Sequence, residues 1–166
     1  MCSDKNFDLK EEYINFFLDF KSLELSTIGE KGQPQSSYAP FVRDDKKNFF
    51  IYVSSLAYHT KNLIKDGRAG VMLIESEEKS ENIFARKRII FDCRVNIIQR
   101  NTEMWNKIML KFDENFGQIV QTLRMLKDFQ LFKLIPKSGR FIIGFGNAYD
   151  ITGEKMDELF HLKPKK

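Results

Sequence analysis

Residues 22–54 read SLELSTIGEKGQPQSSYAPFVRDDKKNFFIYVS, a run of alternating apolar residues interrupted by two turn-forming stretches. The runs Ser22–Ile28 and Gln35–Val42 suit strands and flank GEKGQP, whose glycines and proline favour a turn. A second turn at Asp44–Lys47 leads into Phe49–Ser54, which is too short for a helix and rich in aromatic and β-branched residues. The stretch therefore predicts three antiparallel strands in a meander.

Helical and strand patterns continue on both sides of this meander. Residues 1–20 predict an N-terminal helix, because apolar side chains recur at three- and four-residue steps. After the meander we expect a helix over His59–Asp66, followed by strands over Ala69–Glu75 and Ala85–Arg100. Two helices should follow over 102–116 and 118–126, and then two strands over Phe129–Ile135 and Arg140–Asp150. A PKSG turn separates the last two strands. This pattern predicts an α+β, mainly β protein built around an antiparallel barrel, and not a doubly wound parallel sheet.

The composition is that of one folded domain, 1–166, since 42% of the 166 residues are apolar, 13% are aromatic and the formal net charge is only +4. No apolar run approaches the ~20 residues that cross a bilayer, and acidic residues stand where an export signal needs basic ones. We therefore expect a cytoplasmic protein without a membrane partner. The small charge excess, much of it in the tail 151–166, does not indicate nucleic-acid binding. Cys2 and Cys93 are expected to be reduced thiols.

Few residues suit hydrolytic or multi-ligand metal chemistry. The sequence has no GxSxG or HExxH motif and only two histidines, His59 and His161. The GFG at 144–146 lacks the third glycine and the following helix of a dinucleotide fingerprint. Each histidine has two interpretations, a solvated or backbone-bonded side chain or a ligand of haem or a transition metal, because imidazole is the commonest neutral metal ligand.

Three further side chains carry charge at positions suited to a site. In ARKRIIFDCR, Arg86 and Arg88 fall at alternate positions of the predicted strand. They form either a solvated face or an anion site, since an arginine fork pairs with carboxylate or phosphate. Asp128 stands at a helix-to-strand junction, where a turn or capping role is the alternative to a role in a site. The residues alone leave these alternatives open.

The order of four segments resembles a known family. The segments are SLELSTIGEKGQPQSSYAPFV, SSLAYHTKNLIKDGRAGVML, ARKRIIFDCRVNII and DFQLFKLIPKSGRFIIGFGNAYDI, and the match runs from about Ser22 to His161. They are similar to the haem-utilisation proteins that share the pyridoxamine 5′-phosphate oxidase-like split barrel. The most specific matches are YAPF, HTKNL and GRFIIGFGNAYDI.

This resemblance implies a homodimeric, FMN-binding-type split barrel that binds haem at its subunit interface. It implies that His161, in the tail, is the axial ligand of the haem iron, and that Asp128 supports this site from the partner subunit. It also implies that Arg88, and with it Arg86, binds the haem propionates. The roles are chemically consistent, because a carboxylate that accepts the other N–H of an imidazole makes it a more basic ligand.

The function implied is oxygen-dependent haem degradation that releases iron and takes electrons from an unidentified donor. Two alternatives stay open on the sequence. One is an FMN-dependent oxidoreductase of the pyridoxamine-phosphate-oxidase type, although the Arg, Lys and Ser set of a flavin-phosphate site cannot be placed in the matching strands. The other is a non-catalytic haem store or chaperone.

Overall fold

The computed structural model describes residues 8–163. Cys2, the first seven residues of the predicted helix 1–20 and the last three residues of the tail 151–166 lie outside the described residues. The described α-helices are α1 (Leu9–Leu18), α2 (Tyr58–Lys65), α3 (Glu103–Phe116) and α4 (Ile119–Met125). The strands are β1 (Ser22–Ile28), β2 (Pro34–Arg43), β3 (Phe49–Ser54), β4 (Arg68–Ile74), β5 (Arg88–Ile98), β6 (Phe129–Gly144), β7 (Asn147–Thr152) and β8 (Glu158–His161). Between β4 and β5 lie the short 3₁₀ segments Glu77–Lys79 and Ile83–Ala85. None of the described helices has the length and apolarity needed to cross a bilayer.

The strands form a sheet in the order β3, β2, β1, β4, β5, β6, β7, β8, and β3 also pairs with β6. All of these pairings are antiparallel. Because β3 and β6 close the ring, six strands make a barrel, and β7 and β8 extend from β6 as a two-stranded wing. The predicted α+β class and the antiparallel barrel are confirmed.

Aromatic side chains fill the barrel. Phe49, at the start of β3, is fully buried, and its ring centroid lies 5.6, 5.2 and 5.6 Å from those of Phe17, Phe41 and Phe91. The same cluster includes Tyr13, so α1 supplies two of its aromatic side chains to the barrel core. Such ring contacts add to the free energy gained from burying apolar area.

The helices α3 and α4 pack outside the barrel, over β2, β3 and β6. Gly117 separates them with a φ of +69°, in the left-handed region that glycine adopts without strain. The buried residues of this second cluster are Val42, Phe50, Tyr52, Trp105, Ile108, Met109, Phe112, Val120 and Leu131.

The predicted PKSG turn is wrong, because β6 continues through it. The register of β6 against β5 shifts between Asp92 and Cys93, and Lys137 is the extra residue of a β-bulge. A Cβ on Gly139 would lie 2.5 Å from the Phe91 ring, so the strand requires glycine where it crosses the core. Proline and glycine are common in bulges as well as turns, and the local sequence does not distinguish the two.

Another prediction at the C-terminal end is also wrong. The predicted strand Arg140–Asp150 is two strands, since Phe145 and Gly146 form a tight turn between β6 and β7. Gly146 has a φ of +71°, which suits such a turn. Within the tail 151–166, Ile151 and Thr152 complete β7 and residues 158–161 form β8.

The wing is attached to the N-terminal helix. The Tyr13 hydroxyl donates to the Met156 carbonyl, in the β7–β8 loop, at 2.8 Å. Burial raises the pKa of Tyr13, so the hydroxyl keeps its proton and remains a donor. On the helix surface, Lys10 pairs with Asp157 of the same loop at 3.1 Å. These contacts hold β8, the strand that carries His161, beside the barrel.

Candidate functional site

Asp128 lies between α4 and β6, half-buried against the end of β3. The Ser54 hydroxyl donates to its Oδ2 at 2.6 Å. Its carbonyl oxygen accepts from the Ser55 amide at 2.8 Å and from the Ser55 hydroxyl at 2.5 Å. Among residues 8–163 no other group hydrogen bonds to the carboxylate, so Oδ1 is available to an external donor. Asp128 is therefore held at both its main chain and its side chain.

His161 is the last residue of β8, at the open edge of the wing, and its side chain is exposed. Its Nε2 lies 3.1 Å from the Gly146 carbonyl oxygen, and its ring packs against Tyr149 with a centroid distance of 5.1 Å. A carbonyl can only accept, so a neutral ring bonded in this way carries its proton on Nε2 and a lone pair on Nδ1. A free lone pair is what a metal ligand needs.

The two arginines differ in their partners. Arg88 is the first residue of β5, and its Nη1 donates to the Arg86 carbonyl at 2.8 Å. Arg86 precedes the strand, and its guanidinium donates to the Glu75 carbonyl and lies 3.6 Å from the Glu77 carboxylate. The prediction that both share one strand face is wrong, because β5 begins at Arg88. Arg86 ties down the segment after β4, whereas no described carboxylate pairs with Arg88.

One copy of the chain does not bring His161 and Asp128 together. His161 is opposite Tyr149, and Tyr149 is opposite Phe141 of β6. Asp128 immediately precedes Phe129, at the other end of β6. The step from Phe129 to Phe141 corresponds to about 40 Å of strand path. A site that contains both side chains must draw them from two chains.

Arg88 lies closer to His161 in the sheet, but on its other face. Arg88 is opposite Ile142, which is opposite Ala148, the residue before Tyr149. Because successive side chains of a strand point to opposite faces, Arg88 lies on the outer face and His161 on the face that carries the barrel core.

A cleft of about 700 Å³ opens on the His161 face of the wing. Tyr149 and Phe145 line one side of it, and Lys87 and the segment 79–82 line another. Tyr149 also contacts His161, which places the imidazole beside the cleft. Sequence reasoning did not single out these lining residues. Alternation shows which side chains share a strand face, but not that the segment after β4 covers that face.

His59, the other histidine, lies on α2 and is half-buried. Its Nε2 is buried and has no hydrogen-bond partner among residues 8–163. Burial lowers the pKa of His59, so the ring is neutral near pH 7. The structure also shows Cys93 as a free, buried cysteine whose thiol pKa is raised by burial, in agreement with the predicted reduced thiol.

Comparison with known proteins agrees with this fold. The family model described as pyridoxamine 5′-phosphate oxidase matches residues 9–143. The chain belongs to the pyridoxamine 5′-phosphate oxidase-like split-barrel family and, within it, to the haem-utilisation branch that includes HutZ and ChuZ. The resemblance drawn from the sequence is confirmed.

Two relatives support the assignment of the chain to the haem-utilisation branch. The chain is 37% identical to the heme oxygenase HutZ of Vibrio cholerae serotype O1 over 155 residues, which cover 93% of this chain and 88% of HutZ. The crystal structure of HutZ, described as the heme storage protein from Vibrio cholerae, matches 77% of this chain and 89% of that chain with 37% identity and a TM-score of 0.74. That of Campylobacter jejuni ChuZ matches 95% of this chain and 65% of ChuZ, with 32% identity and a TM-score of 0.82.

Proposed function

We propose that this protein binds haem between two copies of the chain and, with O₂ and an electron donor, degrades the porphyrin and releases iron. One observation carries the proposal. A chain that is 37% identical to a haem oxygenase presents an exposed imidazole, His161, whose Nδ1 has no hydrogen-bond partner among residues 8–163. Haem is the substrate of this reaction, and its iron is the centre that binds and reduces O₂.

A two-fold dimer explains why the site residues are separated within one chain. In a two-fold interface each chain repeats the contact of its partner, so His161 of each copy meets Asp128 of the other and two equivalent sites form. The wing offers apolar surface for such a contact, since Phe145 is 69% exposed and Phe160 is 58% exposed. Exposed aromatic side chains of this kind are favoured in interfaces and against flat apolar ligands.

Each of the three side chains has a distinct role in the proposed site. His161 binds the iron through Nδ1. Its Nε2–H, which bonds to the Gly146 carbonyl in the single chain, is the proton that the carboxylate of Asp128 accepts from the other subunit. That bond makes the imidazole more basic. Within one chain Arg88 lies on the other sheet face from His161, so its propionate role rests on the family resemblance and on guanidinium N–H groups that no described carboxylate occupies.

Mixing two inactive variants tests the shared site. In a heterodimer of His161→Ala and Asp128→Asn chains, one site has both wild-type side chains and the other has neither. We expect each variant alone to degrade haem slowly or not at all, with Asp128→Asn still binding it. Because one intact site forms per heterodimer, mixing the variants under subunit exchange should restore about half of the wild-type activity per heterodimer. The measurement is haem loss and iron release after purification of differently tagged heterodimers.

Two controls make the mixing experiment decisive. A double variant that carries both changes on one chain, mixed with wild type, should give heterodimers whose two sites each lack one residue. Their activity should therefore be low. If the single-variant heterodimer stays inactive, or if sedimentation shows a concentration-independent monomer, the intersubunit site is wrong.

Arg88 is expected to contribute to haem affinity. Arg88→Ala should weaken haem binding about tenfold, because a charge-assisted hydrogen bond to a propionate is lost. Arg88→Lys should recover only part of the affinity, since a point charge lacks the bidentate fork. Arg94→Ala is the matched control, because Arg94 is exposed on the same face of β5 but farther from the wing. Equal haem dissociation constants for all four proteins would contradict the assignment.

Absorption spectra distinguish haem degradation from the two alternative functions, haem storage and flavin chemistry. HutZ carries the descriptions of both a heme oxygenase and a heme storage protein, and a storage function would leave the haem absorption unchanged after addition of reductant and O₂. An FMN enzyme would bind flavin in preference to haem. Titration of the purified protein with each ligand, followed by reduction in air, therefore distinguishes degradation from storage and from flavin chemistry.

A further inference from the structure

The hydroxyl of Ser54 sets the orientation of the Asp128 carboxylate. An ionised carboxylate can only accept, so the single hydroxyl proton of Ser54 is donated to Asp128 Oδ2, at 2.6 Å. The Ser54 oxygen in turn accepts the amide N–H of Leu56 at 3.1 Å. The hydroxyl is thus engaged as both donor and acceptor, and it cannot rotate away from Asp128 without losing a bond.

Ser54 is itself held in place. It is the last residue of β3 and pairs with Phe129 of β6. Its carbonyl accepts from the hydroxyl of Thr60, a fully buried residue, at 2.6 Å. The next residue, Ser55, binds the main-chain carbonyl of Asp128, so the serine pair and the aspartate form one fixed unit. The direction in which Oδ1 points therefore depends on Ser54.

We infer that Ser54 is a positioning residue of the haem site. By holding Oδ2, it aims Oδ1 at the N–H of the axial imidazole supplied by the other subunit. The inference rests on the proposed role of Asp128, and Ser54 acts only through that carboxylate. A well-aligned carboxylate makes the iron-bound imidazole a stronger donor, which favours ferric over ferrous haem and lowers the reduction potential.

The test is the reduction potential of the haem-loaded dimer. Ser54→Ala should raise this potential and slow haem degradation about three- to tenfold, as expected for one lost hydrogen bond. Haem affinity and the dimer should be retained. Ser54→Thr keeps a hydroxyl and should restore both values. Asp128→Asn should raise the potential further, because it removes the charge that Ser54 orients.

A double variant shows whether Ser54 acts through Asp128. Adding Ser54→Ala to Asp128→Asn should leave the potential of the single Asp128→Asn protein unchanged, since coupled residues are non-additive. Ser37→Ala is the matched control, because Ser37 lies on β2 and donates to the Leu25 carbonyl instead. It should keep the wild-type potential.

Three results would overturn the inference. If Asp128→Asn raises the potential but Ser54→Ala does not, Ser54 does not position the carboxylate, and the proposed function stands. If neither variant changes the potential, Asp128 does not bond to the axial imidazole, and the positioning role fails with it. If Ser54→Ala raises the potential further in the Asp128→Asn protein, Ser54 acts by another route.

Discussion

Replacing His161 with alanine is expected to remove the histidine-ligated haem spectrum and abolish haem degradation. Only two histidines are present in the sequence, and His161 is the one with an exposed ring. Loss of this ligand should weaken haem binding by about tenfold or more, since even residues that only support a metal ligand contribute that much. The measurement is the absorption and resonance Raman spectrum of haem-loaded protein, with haem loss as the activity.

The His161→Ala result has controls for folding and for ligation. The exposed side chain contributes little to the core, so the free energy of unfolding should change by no more than about 0.5 kcal/mol. Exogenous imidazole should restore the ligated spectrum, because it supplies the missing nitrogen. His59→Ala should keep the iron–histidine band. A His161→Ala protein with the wild-type spectrum and activity would show that another group binds the iron.

Replacing Phe49 with alanine is expected to cause the largest loss of stability. The Phe49 ring is fully buried and contacts the rings of Phe17, Phe41 and Phe91 at the centre of the barrel. Removing a buried phenylalanine leaves a cavity and costs about 3–5 kcal/mol. This loss is a large part of the free energy of unfolding of a typical domain, which is roughly 5–15 kcal/mol. Urea unfolding of the haem-free protein, followed by circular dichroism, measures the change.

Phe84→Ala is the matched control for the core. Its side chain is 87% exposed, between β4 and β5, so the free energy of unfolding should change by no more than about 0.5 kcal/mol. Both variants should be compared at one protein concentration, because dimer formation adds to the measured stability. A loss below about 1 kcal/mol for Phe49→Ala would contradict the central position of this ring.

Local patterns in the sequence determined most of the barrel. The segment 22–54 alternates and turns within short distances, and the structure has β1, β2 and β3 close to the predicted bounds. The predicted strand boundaries failed where proline and glycine residues are compatible with either a turn or a β-bulge. Lys137 lies in a bulge and Gly146 in a tight turn, and only pairing with β5 or β7 distinguishes such cases.

The chemical types of the candidate site residues were also evident in the sequence. Scarcity drew attention to both histidines, and the resemblance to a known family then singled out His161 and paired it with Asp128 and Arg88. Their arrangement was not evident, because the spacing of residues along the chain does not indicate which strands are neighbours. The predicted common face of Arg86 and Arg88 failed because β5 begins at Arg88, three residues after the predicted start at Ala85.

The class of fold and the antiparallel barrel followed from the sequence, because they depend on side-chain chemistry and short-range periodicity. The candidate haem residues came from the resemblance to a known family. Long-range contacts, in contrast, add β8 to the sheet, join Ser54 to Asp128, and place Asp128 and His161 near opposite ends of β6. The physical reason is that strand pairing and hydrogen bonding join residues far apart in the chain. Those long-range contacts, and not local preference, set the direction of each side chain.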